Sequence, residues 1–275
     1  MPARRLPTFF ISHGGGPWPW MKEAMGHTYD RLEQSLAGLL AQAGGPPRAI
    51  LMVSAHWEEP EFTVMAAERP GMIYDYGGFP EHTYHVHYAS PGDPALARRV
   101  VELLQGAGTA VHADAERGYD HGMFSPMAAI RPQADVPVVQ LSLKRGLDPL
   151  EHLIAGRALA PLRDEGVVII GSGLSWHNLR AFGPQSRVPS AAFDGWLLQA
   201  LSRPTAVERE QALVEWESAP VARIAHPREE HLLPLMVAAG AAEGDEAVRN
   251  YHEDEFMGGI SVSSYRFGPA VAAAA

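Results

Sequence analysis

The stretch Thr8-Phe9-Phe10-Ile11-Ser12-His13-Gly14-Gly15-Gly16 sets a short apolar run directly against a histidine and three glycines. The run is too short for a helix and suits a buried strand, and the glycines permit a sharp turn at its end. The same grammar recurs along the chain. Ala49-Ile50-Leu51-Met52-Val53-Ser54 is followed by Ala55-His56-Trp57, and Val167-Val168-Ile169-Ile170-Gly171 by a polar turn ending in Trp176-His177. Val136 to Ser142 is a fourth such run, and Phe62 to Ala66 and Ile260 to Phe267 are further strand candidates. Between them lie stretches of helical period at about 22–43, 94–106, 149–163, 190–202 and 229–241. In the second of these, Leu96, Val100 and Leu103 recur at helical spacing with Arg98, Arg99 and Glu102 interleaved. Strands alternating with helices predict an α/β fold, a largely parallel central sheet flanked by helices.

In such a sheet the C-terminal strand ends share one edge, and ligands bind there. His13, His56 and His177 each follow a predicted strand, so three imidazoles far apart in sequence converge at that edge. Two more regions add to the count. Tyr119-Asp120-His121-Gly122 lies in a loop before a helix signalled by Ser125-Pro126, and His226-Pro227-Arg228-Glu229-Glu230-His231 places His231 near the first turns of the last helix.

The composition says what chemistry these histidines can do. The 275 residues contain 13 His and no Cys, which excludes disulfides, thiolate zinc sites, iron–sulfur clusters and thiol nucleophiles. A metal would be held by imidazole and carboxylate. Neutral imidazole suits Zn(II), Fe(II), Cu and Ni, and three protein ligands leave room for substrate. With 22 Lys+Arg against 32 Asp+Glu the net charge is −10, and no basic cluster is present, so neither nucleic acid nor an anionic membrane is expected as a partner. The apolar run near the start falls short of a signal-peptide core, and no stretch approaches the roughly 18 apolar residues of a membrane span, so a cytoplasmic protein is expected. The region 181–190 is mixed in composition and not linker-like, and ligands from position 13 to 231 must meet at one site. One domain is therefore expected over 1–270, with an Ala-rich, disordered tail at 271–275.

Taken together, Ser12-His13-Gly14-Gly15, Ser54-Ala55-His56-Trp57, Tyr119-Asp120-His121-Gly122, Ser175-Trp176-His177-Asn178-Leu179-Arg180 and Glu230-His231-Leu232-Leu233-Pro234-Leu235 resemble the class III extradiol ring-cleavage dioxygenases. The similarity is greatest to the 4,5-DOPA dioxygenase extradiol-like branch. Tyr76-Gly77-Gly78-Phe79-Pro80 and Tyr88-Ala89-Ser90-Pro91-Gly92 are also similar to that branch, and the resemblance runs from His13 to about Ser264. It implies a non-haem metal, Fe(II) for activity with Zn(II) as a competitor, and small-molecule partners, a catecholic substrate and O2. It implies ring opening beside the diol. It assigns His13, His56 and His231 as metal ligands, where better-known members have a carboxylate in the third place. His177 matches the acid/base histidine, and His121 a further active-site histidine that orients substrate or stabilises charge. Glu230, next to His231, would point about 100° away on a helix.

Asp120, Trp57 and Phe79 are the candidate substrate contacts. Tyr84, Trp18 and Trp176 also lie near the motifs, Trp176 reading better as core. His82, His85 and His87 read as a polar loop at the pocket rim, with His85 and His87 on one face at strand spacing. His27, His112, His152 and His252 lack motif context and are expected in solvent, and His226 in a loop. Two other functions fit parts of the pattern: a zinc hydrolase on the same three histidines, and a non-catalytic relative. The oligomeric state stays open between monomer and homodimer.

Overall fold

In the computed structural model, which describes residues 5–271, eight strands form one sheet. They are β1 (Thr8–Ser12), β2 (Ala49–Glu59), β3 (Phe62–Met65), β4 (Val111–Asp114), β5 (Val138–Lys144), β6 (Val167–Gly173), β7 (Ala247–Phe256) and β8 (Ile260–Phe267). Their order is β4-β3-β5-β2-β6-β1-β8-β7. The four central strands β5, β2, β6 and β1 are mutually parallel. β1 and β6 are buried along their whole length, as expected for strands covered on both faces. The flanks depart from the parallel expectation: β8 and β7 run antiparallel on one side, and β3 runs antiparallel to β5 on the other.

The helices follow the sequence with local corrections. Pro94–Gly106 starts at a proline and is capped by Asp93, which accepts from the Leu96 amide; Asp148 caps Pro149–Leu159 in the same way. The expected stretch 22–43 is instead three short helices, Lys22–Met25, Asp30–Ala37 and Leu39–Gln42, broken after Met25 where Gly26 takes φ 54°. The expected 149–163 ends as α-helix at Leu159 and tightens into a 3-10 turn containing Pro161. The final helix is Leu233–Gly240, with Pro234 in its first turn, and all eight residues are buried. It packs against the helix Pro149–Leu159 and against β6.

Several elements went unread in the sequence, among them β4, the helix Ala206–Val214 and β7. The helix Ala206–Val214 opens with a complete capping box, Thr205 and Glu208, a signal that was legible. β7 is an edge strand carrying the exposed Arg249, Asp254 and Glu255, a composition that hides a strand partly facing water. Val271 is buried and bridges Ala43, so the chain stays on the fold through that residue, and 272–275 of the expected tail lie outside the described residues. Among the described residues no helix is long and apolar enough to cross a membrane.

This topology sets β2, β6 and β1 side by side, with their C-terminal ends at one edge. β2 does not stop at Ser54, as its apolar run suggests, but continues to Glu59 through an irregularity. Its pairing with β5 steps from Val53↔Leu141 to Glu58↔Leu143, five residues along one strand against two along the other. His56 lies inside that bulge, where ladder pairing is released and a side chain can be re-aimed.

Candidate metal centre and active site

Four backbone segments meet at the sheet edge. His13 leaves β1 with its amide donating to Gly173 O of β6 (3.0 Å), and the Leu174 amide donates to His231 O (3.1 Å). Gly173 makes that second contact possible, since a Cβ there would lie 2.1 Å from His231 O. The turn after His13 is equally constrained. Gly14 and Gly16 have φ of 82° and 52°, and a Cβ on them would strike the rings of Trp18 and Phe79 respectively. Trp18 fills that space and donates from Nε1 to His13 O (2.9 Å), which locks the turn.

The nitrogens of three imidazoles then converge. His56 Nε2 lies 3.3 Å from His13 Nε2 and 3.2 Å from His231 Nε2. Each ring's other nitrogen faces an atom that can only accept. His13 Nδ1 is 2.7 Å from Gly14 O, His56 Nδ1 is 3.2 Å from Asp75 Oδ2, and His231 Nδ1 is 2.9 Å from Glu230 Oε1. The protons must therefore sit on Nδ1, leaving three bare Nε2 lone pairs pointed at one another. Protonation does not relieve the crowding at His13 or His231: burial and the neighbouring imidazoles push both well below the usual histidine range. Three converging acceptors with no proton between them call for a cation. Separations of 3.2–3.3 Å suit nitrogens about 2.1 Å from a single ion. The donor set thus fits a metal.

Two more histidines flank this cluster, each tied to it by a carboxylate. Asp75 Oδ1 accepts from the His121 amide and from His121 Nδ1, both at 2.9 Å, while its Oδ2 serves His56. Glu230 Oε1 serves His231 and also lies 3.2 Å from His177 Nδ1. His177 stacks on His231, with centroids 3.3 Å apart, and the His121 ring centroid is 3.9 Å from that of His56. Burial alone would raise both carboxyls, but the histidine hydrogen bonds outweigh it and hold Asp75 and Glu230 below the usual carboxylate range. All five histidines and Asp75 open onto one cavity of about 370 Å³.

Residues 7–268 match the model of the catalytic LigB subunit of aromatic ring-opening dioxygenases. The chain belongs to the LigB family. Members of this family are metal-dependent ring-opening enzymes, and this LigB chain is an extradiol ring-cleaving dioxygenase. It is 40% identical to a 4,5-DOPA dioxygenase extradiol of Beta vulgaris over 94% of this chain and 96% of that protein. It is 37% identical to the Escherichia coli K12 protein of the same name, over 98% and 97%. It is also 39% identical to dioxygenase tasH of Hapsidospora irregularis, over 95% and 85%. Among solved structures, an uncharacterized protein from Escherichia coli K12 superposes with a TM-score of 0.73 at 31% identity, covering 96% of this chain and all of that one.

Of the residues singled out in the LigB chain's sequence, Phe79 joins the five histidines in the cavity wall. Asp120 and Trp57 do not, which corrects their expected place at the substrate. Asp120 is fully buried behind the site and accepts from Ser54 Oγ, Gln140 Nε2 and Arg117 Nη2. Trp57 follows His56 on β2 and lies under the Arg117 guanidinium, 4.7 Å from ring centroid to Cζ. Tyr84 approaches the Phe79 amide through its hydroxyl, and Trp176 is core as read. His82 and His85 sit on a 3-10 turn, Glu81–His85, so the strand-spacing argument for His85 and His87 fails. His152, expected in solvent, is fully buried; its Nε2 accepts from the Lys144 amide and burial lowers it to about 4. His226 is buried too, lowered to about 3 by burial, with Nε2 near Ser175 O.

Asp75 was missed entirely, and Glu230 was placed wrongly. The helix begins at Leu233, after a turn, so Glu230 is not rotated away on a helical face but folds back onto both His231 and His177.

Proposed function

We propose that this dioxygenase opens a catechol-type ring, of DOPA or a related catechol, beside the diol, with Fe(II) held by His13, His56 and His231. The observation that carries this reading is the convergence of three Nε2 atoms whose partner nitrogens all face acceptors. A bound Fe(II) would supply a docking point for the two diol oxygens and access to the redox chemistry of O2. Zn(II) suits the same donors and competes for them.

The chain's own residues do the rest. His177 takes a proton from a diol hydroxyl and later returns it to the opening ring. Its Nδ1 is anchored on Glu230, which leaves Nε2 as the exchanging nitrogen, and an imidazole trades protons in both directions near neutral pH. His121, fixed by Asp75 at its amide and its ring, orients the substrate from the opposite wall. The apolar wall excludes water while the ring opens.

The test is anaerobic loading with Fe(II), then oxygen uptake and ring-opened product with a catechol panel, alongside His177→Ala. The variant should keep its metal by elemental analysis and lose at least about a hundredfold in kcat. Loss of metal on that substitution would make His177 a ligand instead. Absence of oxygen uptake, with Zn(II)-supported ester or amide hydrolysis, would replace the oxygenase reading altogether.

A further inference from the structure

Beyond the histidines, the cavity wall carries almost nothing that could recognise a charged substituent. Met25, Leu174, Leu179, Phe182, Phe256 and Met257 line it, and no Lys or Arg does among the described residues. The phenols of the wall are turned to other work. Tyr76 donates to Thr83 O (2.5 Å), and Tyr29 is bonded to the Gly15 backbone and pushed up to about 12 by burial. The carboxyl group that lines the chamber is that of Asp75, and that of Glu230 lies behind the imidazoles, each bonded to two histidines. Arg228 lies close by, yet its guanidinium is taken by Glu58 and Glu230. At the mouth stands Leu179, an apolar side chain that is 70% exposed.

We propose that the cavity selects catechols whose ring substituent is uncharged and apolar, and discriminates against those of net negative charge. A carboxylate drawn into this chamber would lose its water, find no Lys or Arg partner in the wall and share that wall with the Asp75 carboxylate. An alkyl, aryl or ester substituent instead gains contact with methionine, leucine and phenylalanine side chains. DOPA, whose side chain is a zwitterion, keeps an ammonium that the Asp75 carboxylate can meet, so the discrimination applies to substituents of net negative charge. The inference rests on the catechol reading above and narrows its substrate class.

The experiment uses a matched pair, 3-(3,4-dihydroxyphenyl)propionate and its methyl ester, which differ chiefly in charge. Binding is measured by calorimetry on the Zn(II)-loaded protein, and kcat/KM on the Fe(II)-loaded protein. The ester should bind at least about tenfold more tightly than the acid and lead it by a similar factor in kcat/KM. Leu179→Arg, a change at an exposed position with little risk to folding, should narrow the gap by improving the acid alone. Equal or tighter binding of the acid, or binding of neither, overturns the proposal. So does an unchanged ester-to-acid ratio in Leu179→Arg. If the ester is preferred in calorimetry but no ring-opened product forms, the selectivity stands and the dioxygenase reading of this site falls.

Discussion

Asp75 and Glu230 look equivalent, each a carboxylate tying one candidate ligand to one flanking histidine, but they use their oxygens differently. Asp75 spends both: Oδ1 on His121 and Oδ2 on His56. Glu230 spends one, Oε1, on both His231 and His177, while Oε2 takes no hydrogen bond and lies 3.5 Å from Arg228 Nη1. An amide replacement separates the two cases. Asn at 75 has one carbonyl, which can keep the His121 amide and Nδ1, and its NH2 then meets His56 Nδ1. Two donors cannot face each other, so the His56 proton is driven to Nε2, the atom aimed at His13 and His231. Gln at 230 can leave its carbonyl in the place of Oε1 and put NH2 in the place of Oε2, where no histidine is bonded and only the 3.5 Å ion pair with Arg228 is lost. Both changes remove one negative charge, so that effect cancels in the comparison. Asp75→Asn should weaken metal binding by about 10- to 100-fold, equal to about 1.4–2.7 kcal/mol, and Glu230→Gln by less than about tenfold. Competition for Zn(II) against a chromophoric chelator at pH 7.5 reads both, with melting curves to confirm folding. A loss in Glu230→Gln equal to or larger than that in Asp75→Asn would refute tautomer control as the reason for this arrangement.

Two further outcomes follow from buried positions, one remote from the chemistry and one beside it. His152 has a folded value of about 4 against an ordinary 6.5, so its contribution is whole above about pH 6.5 and is lost as the pH falls toward 4, where the unfolded chain takes a proton that the native ring does not. That interval is worth about 3 kcal/mol, and urea unfolding at pH 7 and pH 4.5 should show a shallower loss in His152→Gln than in the parent; equal losses would sink the idea. Gly173→Ala puts a methyl 2.1 Å from His231 O. It should lower stability by about 1–3 kcal/mol and weaken metal binding by moving the His231 segment, and a variant with unaltered metal affinity would show that the segment yields without consequence.

What the sequence discloses and what it withholds divide along a physical line. β1 and β6 are legible because a strand buried on both faces must be apolar throughout, and a histidine at its end stands out against that background. The parallel order of the centre follows from the strand–helix alternation, and with it the meeting of His13, His56 and His177 at one edge. The edge strand β7 is hidden because water, not packing, decides half of its side chains. Asp75 is hidden for a different reason. It lies in the long loop after β3, outside any strand or helix, and reaches His121 across 46 positions, a relation with no period to detect. Glu230 was within reach. Pro234 is a helix-start signal, and taking it seriously would have begun the helix at Leu233 and left Glu230 and His231 in a turn, where adjacent side chains need not diverge by 100°. The misplacement of Asp120 and Trp57 has the same lesson in reverse. Both adjoin an active-site histidine in sequence, but Asp120 precedes the helix that starts at His121 and is turned to Ser54, Gln140 and Arg117, and Trp57 packs under Arg117 while its neighbour His56 faces the cavity. Sequence adjacency locates the backbone near a site, and the local geometry decides which side chains enter it. Here that geometry admits the five histidines, one of the two carboxylates that aim them, and a wall of carbon.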